Sequence, residues 1–152
     1  MNAGKVLYLS RADVESVALD LRSMIDLLEA AFCEQGSGRV EMPPKPGIHT
    51  QPDAFLHAMP AYIPALHAAG IKWVGGYPGN QAQGLPYISG LLILNDEQTG
   101  LPLAVMDCTW ITAMRTGAAN AVAMKYLGPR CPVEAGLIGC GVQGRSNALA
   151  MK

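Results

Sequence analysis

A glycine motif near the end of the chain constrains the fold more than any other feature. It has the form G-x-G-x-x-G and follows an apolar run from Ala135 to Ile138, while Arg145 to Lys152 has good helix propensity. This order predicts a strand, a tight turn and a helix start. Gly139 would allow the tight turn, and Gly141 would allow the backbone to approach a pyrophosphate. Gly144 would allow the helix to pack closely on the strand. The pattern favours dinucleotide binding at the helix start over a glycine-rich turn without a ligand.

The position of the motif also matters. A complete βαβ unit needs about 30 residues or more, and the segment from Glu134 to Lys152 is shorter than that. The second strand and the residue that would read the ribose have no sequence here. We therefore expect the chain to be the N-terminal part of a larger protein, in which a cofactor domain has just begun.

Composition narrows the classes of partner. The 11 basic and 12 acidic residues are scattered and give a net charge of -1, so no basic patch indicates nucleic acid or a membrane surface. No apolar run has the 18 or more residues of a membrane span. The four cysteines, at positions 33, 108, 131 and 140, show neither C-x-x-C nor metal spacing, which predicts no metal site and fits reduced thiols in the cytoplasm. A small-molecule partner is expected.

The first 38 residues are expected to be mostly helical. Ser10 with Asp13 resembles a capping box, and an apolar stripe at 14, 17, 18 and 21 predicts a short helix. Ser23 with Asp26 repeats the start signal for a second helix, which glycines at 36 and 38 end. Both helices are interpreted as core packing without chemistry.

Residues 40–106 are rich in proline and predict strands. The expected strands are Phe55 to Ile63, Ala69 to Val74, Tyr87 to Leu94 and Leu101 to Met106, with a hairpin loop at 95–100. A long helix capped by Thr109 or Thr112 should then run to about Tyr126. The fold class is therefore an α+β domain with a largely antiparallel sheet, followed by the start of an α/β Rossmann domain with a doubly wound parallel sheet, truncated.

Two cations in this region stand among uncharged neighbours. Lys72 lies between Ile71 and Trp73 in an otherwise apolar or small run; it is either an edge-strand lysine that prevents edge pairing or a functional residue. Arg115 is the only charged residue between Thr109 and Val122. It is either a buried structural tie or a ligand for a carboxylate or phosphate, and its planar fork suits a carboxylate.

With these residues the sequence resembles the ornithine cyclodeaminase and mu-crystallin family of NAD(P)-dependent enzymes. The resemblance runs from about Leu7 to the last residue, and three segments carry it in order: 70–80 (GIKWVGGYPGN), 111–118 (ITAMRTGA) and the glycine motif. It implies a substrate-binding and dimerisation domain over 1–130, here incomplete. It also implies that 131–152 is the first strand, glycine turn and helix start of a Rossmann domain binding NAD or NADP.

The resemblance also implies roles for individual residues. Lys72 would be catalytic, facing the substrate α-carbon. Arg115, and less directly Lys45 in a proline-rich loop, would bind the substrate carboxylate, and Tyr87 stands near the substrate where cyclodeaminases have a threonine, which departs from an ornithine site. The residues expected at the cofactor are Thr116, Gly139, Gly141, Val142, Gln143 and Gly144. The family's catalytic aspartate would lie beyond Lys152.

The implied function is hydride transfer at the α-carbon of an amino acid or cyclic imine, leading to deaminating cyclisation or to imine reduction. Two other interpretations stay open: a non-catalytic mu-crystallin-like protein that binds NAD(P)H and small ligands, and a fragment that only dimerises. We expect a cytoplasmic homodimer through residues of about 40 to 110. The 152 residues alone are expected to aggregate or dimerise and to turn over no substrate.

Overall fold

The computed structural model describes residues 4–17, 19–131 and 134–152. Its helices are α1 (Arg11–Val17), α2 (Leu21–Gly36), α3 (Thr109–Leu127) and α4 (Val142–Ala150). Its strands are β1 (Leu7–Leu9), β2 (Gly47–Ile48), β3 (Phe55–Ile63), β4 (Ala68–Gly76), β5 (Ile88–Asn95) and β6 (Pro102–Asp107). The four strands predicted within residues 40–106 and the long helix are present, within one or two residues at most ends.

The six strands form one sheet in the order β1-β6-β5-β4-β3-β2. All neighbours are antiparallel except β1, which pairs with β6 in parallel, Leu7 opposite Ala104. The largely antiparallel sheet was predicted, whereas the parallel edge and the short β2 were not. The antiparallel run follows from short connections, since hairpins join β3 to β4 and β5 to β6.

Register assigns side chains to the two faces of the sheet. Lys72 is the cross-strand partner of Met59 on β3 and of Leu92 on β5, so all three lie on one side, which we call the lysine face. Val74 and Ala104 lie on the same side and are buried. Since Lys72 sits on a central strand with neighbours on both sides, its interpretation as an edge-strand lysine is wrong.

The opposite side, which we call the tryptophan face, is apolar and partly exposed. Trp73 pairs with Leu91, and their exposed fractions are 42% and 49%. Ile71 and Ile93 form the next pair and are half-buried, and Tyr8 of β1 is exposed. Alternation in the strands thus places apolar side chains on both faces of the sheet.

Helix starts follow the local chemistry, with one correction. The capping box is confirmed, because the Ser10 amide donates to Asp13 at 2.8 Å and the Asp13 amide donates to the Ser10 hydroxyl at 3.3 Å. The predicted second start at Ser23 is wrong: α2 begins at Leu21, and Asp20 accepts from the Ser23 amide at 3.0 Å. Asp20 caps more effectively because its carboxylate precedes the first turn.

The predicted first stripe was also too long. Helix α1 ends at Val17, Ala18 lies outside the described residues, and Leu21 belongs to α2. A break between the helices separates positions that a continuous stripe would have placed on one face. The ending of α2 at Gly36, followed by Gly38 with φ 70°, is as predicted.

The described residues divide into two compact units, 4–17 with Glu34–Thr109 and 19–33 with 110–131 and 134–152. The first unit contains the sheet, with Ala54, Val74 and Ala104 buried. The second contains most of α2, nearly all of α3, and α4. The predicted domain boundary near residue 130 concerns the whole protein and stays a prediction.

Candidate active site

The glycine turn has the geometry that its sequence predicted. Gly139 has φ 99°, a conformation that favours glycine, and Gly141 is the N-cap of α4 with extended backbone. A Cβ on Gly144 would lie 2.1 Å from the Gly139 carbonyl oxygen, so only glycine lets the first helical turn rest against the loop. The tight turn and the helix start at Val142 are therefore confirmed.

The strand predicted before this turn is wrong. Residues 134–140 have no strand structure, and the Ile138 side chain is fully exposed. A strand exists only as part of a ladder, because its N–H and C=O groups need a partner, and no described strand pairs with this segment. The apolar run is therefore present without a strand partner among the described residues.

The turn fits a dinucleotide pyrophosphate. A Cβ built on Gly141 meets nothing within 4 Å, so the backbone there is open to an approaching group. The first N–H groups of a helix have no intrahelical acceptor and point away from its N-terminus, where they attract anions. Val142 is exposed at this end. Gly139, Gly141 and the first residues of α4 would hold the phosphates.

Helix α3 packs closely on α4 within the same unit. A Cβ on Gly117 would lie 2.6 Å from the Ser146 carbonyl oxygen, and both residues are buried. One turn later the Asn120 side chain donates to the Asn147 side chain at 2.7 Å. Sequence reasoning identified Gly117 as small enough for close approach but did not identify α4 as its neighbour.

Arg115 and Thr116 directly precede this contact on α3. Arg115 is exposed, so its interpretation as a buried tie is wrong. The Thr116 hydroxyl donates to the Thr112 carbonyl at 2.8 Å, which leaves its oxygen able to accept a further hydrogen bond. The structure thus places both residues on the helix that packs against α4.

Lys45 and Lys72 lie on either side of β3, in the other unit. The Pro46 carbonyl accepts from the Ala58 amide at 3.0 Å, which ties the exposed Lys45 loop to the strand. Lys72 pairs with the next residue, Met59. Two cations distant in sequence therefore lie at neighbouring register positions.

Tyr87 is exposed and directly precedes β5, where the loop from β4 returns to the sheet. Its carbonyl accepts from the Tyr77 amide at 2.9 Å, and the Asn80 side chain donates to the Pro86 carbonyl at 3.0 Å. Asn80 of the predicted motif therefore closes the loop that positions Tyr87. The Tyr77 hydroxyl also bonds the Thr50 hydroxyl at 2.7 Å, joining this loop to the segment after β2.

Sequence reasoning missed the neighbours of Lys72. Met59 and Leu92 flank it on the lysine face, and His57 lies two residues along β3. Period-two alternation in 55–63 would have placed His57 and Met59 on one face. It could not have shown that this face is the one Lys72 occupies, because that depends on the pairing register.

The profile of the ornithine cyclodeaminase/mu-crystallin family matches residues 5–152. This chain belongs to that family. It is 48% identical over 139 residues to the nodulation efficiency protein NfeD of Rhizobium meliloti, covering 91% of this chain and 43% of the relative. The predicted resemblance is confirmed.

Two solved structures of the family are similar to this one. One is the Δ1-pyrroline-2-carboxylate reductase of Thermococcus litoralis in complex with NADH and L-proline. Its TM-score with this chain is 0.91 at 41% identity, and the match covers 96% of this chain and 45% of that one. The other is an archaeal alanine dehydrogenase dimer with bound NAD, whose TM-score is 0.90 at 40% identity, covering 96% and 44%. The chain thus spans less than half the length of these relatives. Within the described ranges, no helix combines the length and apolar character needed to cross a membrane.

Proposed function

We propose that this chain supplies the substrate-binding face and the first cofactor-binding turn of an NAD(P)-dependent oxidoreductase. Its reaction is hydride transfer at the α-carbon of an amino acid or cyclic imine. The observation that carries the proposal is the glycine turn at the start of α4, with φ 99° at Gly139 and no room for a Cβ at Gly144. Bound NAD or NADP would accept or supply the hydride.

The residues of this chain bind and orient the substrate. Arg115 presents a planar fork to the substrate carboxylate, and Lys45 adds a second cation. Lys72 holds its ammonium near the α-carbon, where the nitrogen loses a proton as the amine becomes an imine and gains one in the reverse direction. Thr116, Val142 and Gln143 would contact the cofactor together with the three glycines.

The flanks of Lys72 favour a single hydride step over cyclodeamination. Met59 and Leu92, its two cross-strand partners, are apolar. A substrate with a small or apolar side chain fits between them, whereas the second amino group of ornithine would lose water there without gaining a partner. We therefore infer an amino-acid dehydrogenase or cyclic-imine reductase, with the ornithine reaction less suited to this face.

Activity of the full-length protein tests this proposal. NADH and NADPH oxidation should be followed with Δ1-pyrroline-2-carboxylate and with pyruvate plus ammonia, and NAD+ reduction with L-proline and L-alanine. L-ornithine is the comparison substrate, with ammonia and proline as its products. Faster turnover of ornithine than of the others would refute the oxidoreductase assignment, and tight NADH binding without any turnover would indicate the mu-crystallin-like binding protein.

We also propose that the full-length protein is a homodimer through the sheet unit. The tryptophan face exposes Trp73 and Leu91, and the archaeal relative of similar structure is a dimer. Covering these side chains with a second copy removes apolar surface from water. Light scattering should give twice the subunit mass, and Leu91→Arg should give the monomer.

Val17→Arg is the matched control for the dimer prediction. Val17 is 76% exposed at the end of α1 and lies outside the tryptophan face. This variant should stay dimeric. A wild-type monomer at micromolar concentration, or equal disruption by both substitutions, would contradict the assignment of this face.

A further inference from the structure

The imidazole of His57 is held in one place on β3. Its strand partner on β2 is Gly47, and a Cβ on that glycine would lie 2.3 Å from His57 Cδ2 and 2.9 Å from Nε2. The ring therefore lies over the bare backbone of Gly47. On its other side it stacks on Phe55, with ring centroids 4.3 Å apart and planes at 21°.

Phe55 is itself held by a glycine. A Cβ on Gly76 of β4 would lie 2.3 Å from Phe55 Cε1 and 2.4 Å from Cζ. Two glycines, on the strands at either side of β3, thus make room for two stacked rings. This arrangement fixes the imidazole, because neither ring can move toward its strand neighbour.

His57 lies on the lysine face. It is two residues from Met59, the direct partner of Lys72, so Lys72 and His57 are diagonal neighbours. Such positions on a sheet are about 7–8 Å apart, within reach of one small ligand held between two side chains. A group bound by His57 would therefore place its adjacent carbon near Lys72.

The charges around the ring are positive. Loss of solvation, together with the charges of Lys45 and His49, lowers the pKa of His57 below its ordinary value. These two residues flank β2, and β4 contributes Lys72 on the same face. Among the described residues, no acidic side chain contributes to this shift. An incoming anion would relieve the repulsion.

We propose that His57 is a further substrate-binding residue, which together with Lys45 holds the substrate carboxylate on the lysine face. This inference rests on the proposed function and deepens it. At neutral pH the lowered pKa of His57 favours the neutral imidazole, which takes up a proton as the carboxylate arrives and so forms a charge-assisted hydrogen bond.

The proposal has a defined pH dependence. Carboxylate binding raises the pKa of His57, so affinity is greatest below the pKa of the free protein and falls as pH rises through the pKa of the complex. The free value lies below the ordinary value of about 6.5. The affinity for the carboxylate should therefore fall from mildly acidic pH upward. This fall should be absent in His57→Gln, which keeps an N–H donor and does not titrate.

NMR of the histidine rings in the full-length protein tests this directly. The His57 signals, assigned by their loss in His57→Phe, should titrate at higher pH in the presence of acetate or L-proline. Acetamide and L-prolinamide, which lack the carboxylate, should leave them unchanged. His49→Gln is the matched control, since His49 lies in the same segment and should not be needed for the effect. If no carboxylate moves the His57 titration, the inference is wrong.

Binding measurements add a second readout. His57→Phe keeps the stack on Phe55 and should weaken L-proline binding in the presence of NADH by about tenfold. Gly47→Ala should have a similar effect without changing His57, because the added methyl displaces the ring. If the wild-type enzyme transfers hydride and the His57 variants bind L-proline as tightly as it does, this inference is wrong and the proposed function stands. If carboxylates shift the His57 titration but the enzyme transfers no hydride, the proposed function is wrong and this inference stands.

Discussion

Replacement of Lys72 by methionine in the full-length protein is expected to lower kcat by about 100-fold or more while leaving the melting temperature nearly unchanged. Methionine matches the length of the side chain and suits the apolar neighbours Met59 and Leu92. The variant removes only the ammonium, which in the proposed reaction would act where charge changes at the α-carbon. Steady-state kinetics and thermal melts of the same preparation measure both quantities.

Arg115→Lys separates binding from chemistry in the same experiment. It keeps the charge but loses the bidentate fork, so it should raise KM for the amino acid markedly.

Lys5→Met is the control for Lys72, because Lys5 is exposed near the start of the chain and should tolerate the change. If Lys72 were a structural tie, its loss would cost about 3 to 5 kcal/mol of stability. A large fall in melting temperature with near-normal kinetics in the folded fraction would refute its catalytic role.

Gly144→Ala is expected to weaken NADH binding by the full-length protein by about 100-fold. The added methyl would lie 2.1 Å from the Gly139 carbonyl oxygen, so the first turn of α4 must move away from the loop. That movement displaces the N–H groups that would face the pyrophosphate. Calorimetric titration with NADH measures the loss.

Two further alanine variants make this prediction specific. Gly141→Ala should fold normally, since nothing lies within 4 Å of its Cβ, and should still weaken NADH binding because the methyl occupies the ligand's approach. Gly136→Ala also meets nothing within 4 Å but lies outside the turn, so it should change neither stability nor affinity. Unaltered NADH affinity in both Gly141→Ala and Gly144→Ala would show that the cofactor binds elsewhere.

The segment before the glycine turn shows where sequence reasoning reached its limit. The same pattern predicted a strand at Ala135 to Ile138 and a turn at Gly139, and only the turn is present. A left-handed glycine and a helix start depend on a few consecutive residues. A strand depends on a neighbour that supplies hydrogen bonds, and no described residue does so here.

The candidate site divides in the same way. Lys72 and Arg115 stood out in the sequence because each is a lone cation among uncharged residues, and the family profile over residues 5–152 confirms the resemblance that gave them roles. Met59, Leu92 and His57 did not stand out, because apolar residues and a single histidine are ordinary in a strand. Their relevance appears only when the register places them beside Lys72.

The sequence by itself determined the local elements of this protein: the Ser10 cap, the strand from Phe55 to Ile63, the long helix and the turn at Gly139. These depend on side chains and backbone angles only a few residues apart. Only the tertiary structure decided the parallel pairing of β1 with β6, the lysine face and the contact of Gly117 with Ser146. Those arrangements join segments that are distant in the chain. They are decided by the register in which strands pair and by close packing between helices, which a local sequence pattern does not contain.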